Sequence, residues 1–154
     1  MPKKRDRQPR RYYWNHFSKK LDKFYVYFPP RNPQSDNTSL LESIQHKIKD
    51  LIIAYENKPT IFLGDVNAEF SVWGSIDCDD ERRQWFLEKI LFHNYTILNN
   101  ASMGPTNEAR SGKSYVDLTF VSASFTKLFE YERKINHSLN SDSDHHPIII
   151  DNIY

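Results

Sequence analysis

Apolar and polar positions along the chain fall into alternating strand-like and helix-like patterns. Residues 24–28 (Phe-Tyr-Val-Tyr-Phe) form a β-favouring run, and Pro29-Pro30 closes it because proline cannot continue a strand ladder. A polar loop at 32–37 follows. From about residue 40 to 56, Leu41, Ile44, Ile48, Leu51, Ile52 and Tyr55 recur every three or four positions, which predicts one apolar stripe on a helix. Ser39 and Glu42 have the spacing of a capping box at its start. Residues 60–63 read as a short buried strand. A second helix is predicted over 80–92, with Asp79, Asp80 and Glu81 at the end where the helix dipole favours negative charge. Trp85, Leu87, Ile90, Leu91 and Phe92 supply its apolar surface. Residues 95–98, 115–121, 129–135 and 148–153 read as strands, separated by loops at 99–112 and 136–146. Residues 1–11 read as disordered, and 12–23 mix aromatic and basic residues without periodicity. Alternating strands and helices imply a layered α/β domain.

Composition narrows the class. A chain of 154 residues is one domain's worth, and 14% aromatic residues argue against disorder. No apolar run approaches the roughly 20 residues of a membrane span, and no signal peptide opens the chain. Cys78 is the sole cysteine, so the chain has no internal disulfide and no thiolate metal cluster. A reducing, intracellular setting is expected. The net charge of +1 conceals an asymmetry. Residues 1–23 carry nine Lys or Arg and two Asp, a net of +7, and the remainder carries 12 basic and 18 acidic residues, a net of −6. A basic arm on an acidic body fits contacts with nucleic acid or nuclear import; a solvated tail is the alternative.

Several segments place polar groups where a bland strand would not. In Gly64-Asp65-Val66-Asn67-Ala68, Asp65 and Asn67 lie two apart on an extended chain and can face one cleft. The same residues also suit a turn in which they bond their own backbone. In 114–121, Val116, Leu118 and Phe120 form one face, and Tyr115, Asp117 and Thr119 the other. A carboxylate there needs a partner if buried, or an exposed outer face if not. In Ser141-Asp142-Ser143-Asp144-His145-His146-Pro147, adjacent Asp and His could supply a hard oxygen ligand and a base titrating near neutrality. The glycine and terminal glutamate of a calcium loop are missing, which excludes that motif. Tyr27 stands on the strand before the two prolines.

Taken in order, these segments resemble a known family. The sequence Phe24-Tyr25-Val26-Tyr27-Phe28-Pro29-Pro30 is followed by Gly64-Asp65-Val66-Asn67-Ala68 and Trp73-Gly74-Ser75. Ser114-Tyr115-Val116-Asp117-Leu118-Thr119-Phe120 and Ser143-Asp144-His145-His146-Pro147-Ile148 come next. The set is similar to the C-terminal part of the endonuclease/exonuclease/phosphatase superfamily. It most resembles the apurinic-type endonuclease domain that precedes reverse transcriptase in non-LTR retrotransposons. Trp73-Gly74-Ser75, Leu98-Asn99 and Pro105-Thr106 point to that branch.

The resemblance implies hydrolysis of a phosphodiester in DNA, assisted by Mg²⁺ or Mn²⁺. It assigns His145 as general base or phosphate-polarising group and Asp117 as the carboxylate that orients it. Asp65 would position water or assist the leaving group, Asn67 and Tyr27 would contact the phosphate, and Asp144 would be a metal carboxylate. It further implies the C-terminal half of a four-layer α/β sandwich, with one mixed sheet and flanking helices.

The family domain also opens with a strand ending in asparagine and a second ending in a metal-binding glutamate. Residues 1–23 show neither pattern, and Asn15 lies in no strand-like run. The expectation is therefore a basic, disordered leader at 1–23 and a partial domain at 24–154, with the N-terminal half of the fold and its first sheet largely missing. Val26, Ile61, Leu63, Leu118, Phe120, Ile148 and Ile150 would then leave an apolar patch that promotes self-association or needs a partner. The alternative functions are an inactive remnant that binds nucleic acid or protein, and a phosphatase or phospholipase of the same fold.

Overall fold

The computed structural model describes residues 13–15, 21–30, 38–68, 81–109, 112–138 and 143–152. The expectations for residues 1–11 and 32–37, for Trp73-Gly74-Ser75, for Asp79 and Asp80, and for Ser141 and Asp142 lie outside the described residues.

The elements run β1 (Tyr13–Asn15), β2 (Asp22–Tyr27), α1 (Thr38–Tyr55), β3 (Thr60–Asp65), α2 (Glu81–Phe92), β4 (Tyr95–Ile97), a 3₁₀ turn (Ala101–Met103), β5 (Asn107–Ala109), β6 (Gly112–Ser114), β7 (Asp117–Ser122), α3 (Ala123–Leu128), β8 (Tyr131–Ile135) and β9 (Ile148–Asn152). A four-stranded mixed sheet has the order β2-β3-β7-β4, and a three-stranded sheet has the order β1-β9-β8. Strands β5 and β6 make a separate hairpin. Strands β2 and β3 are parallel with α1 between them, whereas β7 runs antiparallel to both β3 and β4.

Strand β3 is buried along its whole length, so its two faces serve two cores. Phe62 faces α1 and α2, among Phe28, Ile48, Ile52, Phe86, Ile90, Tyr95 and Phe120. Its ring stacks on Phe120 at 4.7 Å and on Phe24 at 5.0 Å, and Tyr95 meets it edge-on at 5.7 Å. Ile61 and Leu63 face the other way, onto Val121, Phe125, Ile148 and Ile150. The α1 stripe delivers Ile48 and Ile52 into the first core as its periodicity requires. Ser122 ties the second core's edge together. Its hydroxyl donates to Lys58 O at 2.6 Å and accepts from the backbone N–H groups of Thr60 and Phe125, capping α3.

The structure corrects several expectations. The apolar patch is absent: Ile61 and Leu63 are fully buried, Ile148 and Ile150 are 3% and 2% exposed, and Val26, Leu118 and Phe120 are also in the core. The reason is that β9 does not extend the four-stranded sheet. It pairs with β8 and β1 instead and lays Ile148 and Ile150 over the face that would otherwise be bare. Strand β1 itself overturns the expectation that Asn15 lies in no strand, since Tyr13–Asn15 pair in parallel with residues 149–151. The loops also contain the β5–β6 hairpin, and α3 separates β7 from β8. On α2 the inward aromatic is Phe86, whereas Leu91 and Phe92 are exposed. No helix among the described residues is long and apolar enough to cross a membrane.

Candidate active site

Strand register gathers the candidate residues. Tyr27 lies beside Asp65, and Asp65 lies opposite Asp117. Residues paired across strands share a face, so these three form a row across β2, β3 and β7. Strands β2 and β3 end on this row and β7 begins on it. Asp65 and Asp117 are buried, while Tyr27 is 46% exposed at the sheet edge.

His145 closes the row from the loop before β9. Its Nδ1 is 2.7 Å from Asp117 Oδ2, and its Nε2 is 4.0 Å from Asp65 Oδ2. The imidazole thus sits between two carboxylates, whose field stabilises positive charge on the ring. Backbone bonds fix this loop. Glu108 N donates to Asp144 O and His146 N donates to Thr106 O, both at 2.8 Å, and Ser143 Oγ accepts from His145 N at 3.1 Å.

Asn67 adopts the turn that its sequence suits. Its backbone N–H donates to Asp65 Oδ1 at 2.9 Å, which is a turn that also aims the Asp65 carboxylate. Its φ of 45° is a conformation asparagine tolerates better than most residues. The side-chain amide donates to Phe28 O at 2.6 Å, tying the end of β2 to the same turn. Asp144 is exposed, and its placement comes through its backbone carbonyl.

Sequence reasoning missed the supporting residues. Thr106 is fully enclosed, and its hydroxyl accepts from Asp117 N at 3.1 Å while its carbonyl holds the His146 N–H. One residue therefore holds the backbone on both sides of the Asp117–His145 pair. Asn99 continues the ladder where β4 has ended: Nδ2 donates to Asp117 O at 2.7 Å and Oδ1 accepts from Thr119 N at 2.8 Å. The sequence offered only the pairs Leu98-Asn99 and Pro105-Thr106, with nothing to reveal these bonds. Thr106→Val would leave the buried Asp117 N–H without its acceptor. It is expected to cost about 1–3 kcal/mol, read from the urea midpoint.

The family model described as endonuclease-reverse transcriptase matches residues 21–149. The chain belongs to this family. Among solved structures it is similar to the endonuclease domain of TRAS1, a telomere-specific non-LTR retrotransposon, at 29% identity with a TM-score of 0.63. That match covers 82% of this chain and 52% of the TRAS1 domain, so the chain spans about half the length of its structural relative. No curated protein matches it. The mixed four-stranded sheet with its helices is the architecture shared with that endonuclease domain.

Endonuclease domains of this family generally depend on a divalent metal. The donor set at His145 does not make such a site alone. Among the described residues, no trio of His, Cys, Asp or Glu ligand atoms converges there with Asp65, Asp117, Asp144 or His145. Both Asp65 and Asp117 are turned to the imidazole, and Asp144 is a single exposed carboxylate. What this end of the sheet brings together is His145 between the carboxylates of Asp65 and Asp117. Next along the chain, burial and then the nearby His137 lower the pKa of His146 below the ordinary imidazole value, so that ring is neutral at pH 7.

Proposed function

We propose that this endonuclease-type domain hydrolyses a DNA phosphodiester with His145 as the general base. The carrying observation is the 2.7 Å contact between His145 Nδ1 and Asp117 Oδ2. A buried carboxylate at that distance accepts a hydrogen bond from Nδ1–H, which keeps the proton on Nδ1 and leaves the lone pair on Nε2. Nε2 then accepts a proton from the attacking water as the water oxygen bonds phosphorus. The ester phosphorus–oxygen bond to the leaving sugar breaks, and the departing oxygen takes a proton from solvent. The resulting imidazolium lies between Asp117 and Asp65. Asp65 holds the water on the Nε2 side. Asn67 and the half-exposed Tyr27 contact the phosphate from the same end of the sheet. Asp144 is the carboxylate available to a Mg²⁺ or Mn²⁺ ion, which would neutralise phosphate charge when bound together with substrate. The basic residues of 1–11 contribute salt-sensitive phosphate contacts and suit a nuclear setting, whereas Tyr13–Asn15 and residues 22–23 of the expected 1–23 leader belong to β1 and β2 of the domain.

A second reading, a DNA-binding module without cleavage, is favoured by the lack of three convergent metal ligands at His145 among the described residues. One assay separates the two. Supercoiled plasmid is incubated with the chain in Mg²⁺, with and without chelator, and topoisomers are resolved on a gel. Nicking that disappears with chelator and in His145→Ala supports hydrolysis. Salt-sensitive retention of intact plasmid supports the binding module and overturns the catalytic proposal.

A further inference from the structure

Glu108, His137 and His146 converge from three separate parts of the chain. Glu108 is on β5, His137 is in the turn after β8, and His146 precedes β9. One ligand atom from each lies within 4.8 Å of the other two. We propose that this trio is a binding site for a borderline divalent ion such as Zn²⁺, separate from the phosphate-hydrolysing row.

Each side chain is prepared for that role in its own way. His146 Nε2 is buried and has no hydrogen-bond partner among the described residues. Its nearest acidic neighbour, Glu108 Oε1, is 3.8 Å away, beyond hydrogen-bond reach. An unsatisfied buried ring nitrogen calls for an explanation, and an ion is one that its lone pair fits. His137 Nε2 is 3.0 Å from Met103 O. A carbonyl can only accept, so that nitrogen carries the proton and Nδ1 keeps its lone pair. Metal-ligating histidines are oriented by this kind of backbone bond from the other ring nitrogen. Gly104 makes the arrangement possible, because a Cβ there would lie 2.9 Å from His137 Nε2. The two imidazoles meet edge-on with centroids 4.4 Å apart, close enough to share one ion.

The donor chemistry selects the class of metal. Two imidazole nitrogens and one carboxylate suit Zn²⁺ and similar first-row ions, whereas Mg²⁺ and Ca²⁺ prefer all-oxygen shells. Zinc–ligand bonds are about 2.0–2.2 Å, so the trio must close by a fraction of an ångström to about one ångström, with water completing the shell. Lys113 is the resident competitor: its Nζ lies 2.7 Å from Glu108 Oε1, an exposed pair that an ion can displace at small cost. Occupation would staple the β5–β6 hairpin and the turn after β8 to the loop that carries His145. The site would therefore stiffen the catalytic loop without touching substrate.

The test uses the full chain, stripped with chelator and titrated by calorimetry with ZnCl₂ in excess Mg²⁺. Binding of Zn²⁺ that Mg²⁺ does not displace is expected, as is a rise in melting temperature with Zn²⁺ concentration. Co²⁺ in place of Zn²⁺ should give the visible absorption of a low-coordinate nitrogen/oxygen site. His137→Ala and His146→Ala should each weaken binding about tenfold or more, since even a group that only orients a ligand changes affinity by that much. His46→Ala, on an exposed helix face, should leave it unchanged. Lys113→Gln serves as a gentle variant that does not endanger the fold, and it should bind Zn²⁺ more tightly than the parent. Absence of Zn²⁺ binding overturns the proposal. Binding that Lys113→Gln does not strengthen and His46→Ala abolishes would do the same. The readout is metal affinity, so it stands whether or not the chain nicks DNA.

Discussion

Asp117→Asn is expected to fold with a near-parental melting temperature and to lose about 10²- to 10⁴-fold in nicking rate. The side chain is isosteric, and its surroundings do not change in volume. What changes is the charge 2.7 Å from His145 Nδ1. A neutral amide no longer stabilises the imidazolium, and if its NH₂ turns inward it drives the proton to Nε2, where the lone pair is needed. His145→Ala should lose as much, and the double variant should be no worse than either single one, because the two residues act as one unit. Plasmid binding should stay within a few-fold of the parent in all three, so the loss falls on the rate and not on affinity. An Asp117→Asn protein that keeps more than a tenth of parental nicking would sink the assignment of Asp117 as the positioning residue.

The sequence made the outline of this fold legible where a side-chain pattern repeats. The apolar run Ile61-Phe62-Leu63 reads as a buried strand and Leu118-Thr119-Phe120 as a two-faced one, and their register brings Phe62 and Phe120 into stacked contact. The spacing of Ile48 and Ile52 likewise places them under α1. Elements held by backbone pairing left no such trace. Strand β1 has three residues, and it is a strand because β9 offers it an edge. The β5–β6 hairpin is equally short and sits inside what reads as a polar loop. The same distinction governs the site. Asp65, Asp117 and His145 stood out because carboxylates and imidazoles are unusual beside buried strands. Their convergence depends on register between β3 and β7 and on the docking of one loop, which only the three-dimensional structure displays. Thr106 and Asn99 act through a few hydrogen bonds to backbone, and a threonine or asparagine in a loop carries no mark of that role. The burial of Ile148 and Ile150 was misread for a related reason. Their apolar character fixes that they are covered, but not that a second sheet does the covering.

Gly64→Ala is expected to be the most destabilising single-methyl addition at the site, costing about 4 kcal/mol, at the severe end of point substitutions. Two effects act together. Gly64 has φ of +148°, where a side chain is strained by about 1–3 kcal/mol. A Cβ built there would also lie 1.8 Å from the carbonyl oxygen of Val26, and the clash is with the backbone of the neighbouring strand, which no rotamer change relieves. The only escape is to part β2 from β3. Those strands are in register as Val26 with Gly64 and Tyr27 with Asp65, so parting them pulls Tyr27 away from the row and shifts Asp65 relative to His145. Stability and nicking should therefore fall together, and restoring the fold with a stabilising co-solvent should recover less activity than structure. Denaturant midpoints and plasmid nicking in the presence of osmolyte measure the two separately. A Gly64→Ala protein whose midpoint lies within about 0.5 kcal/mol of the parent, the range of an ordinary surface change, would show that β2 and β3 do not approach as closely as their register requires.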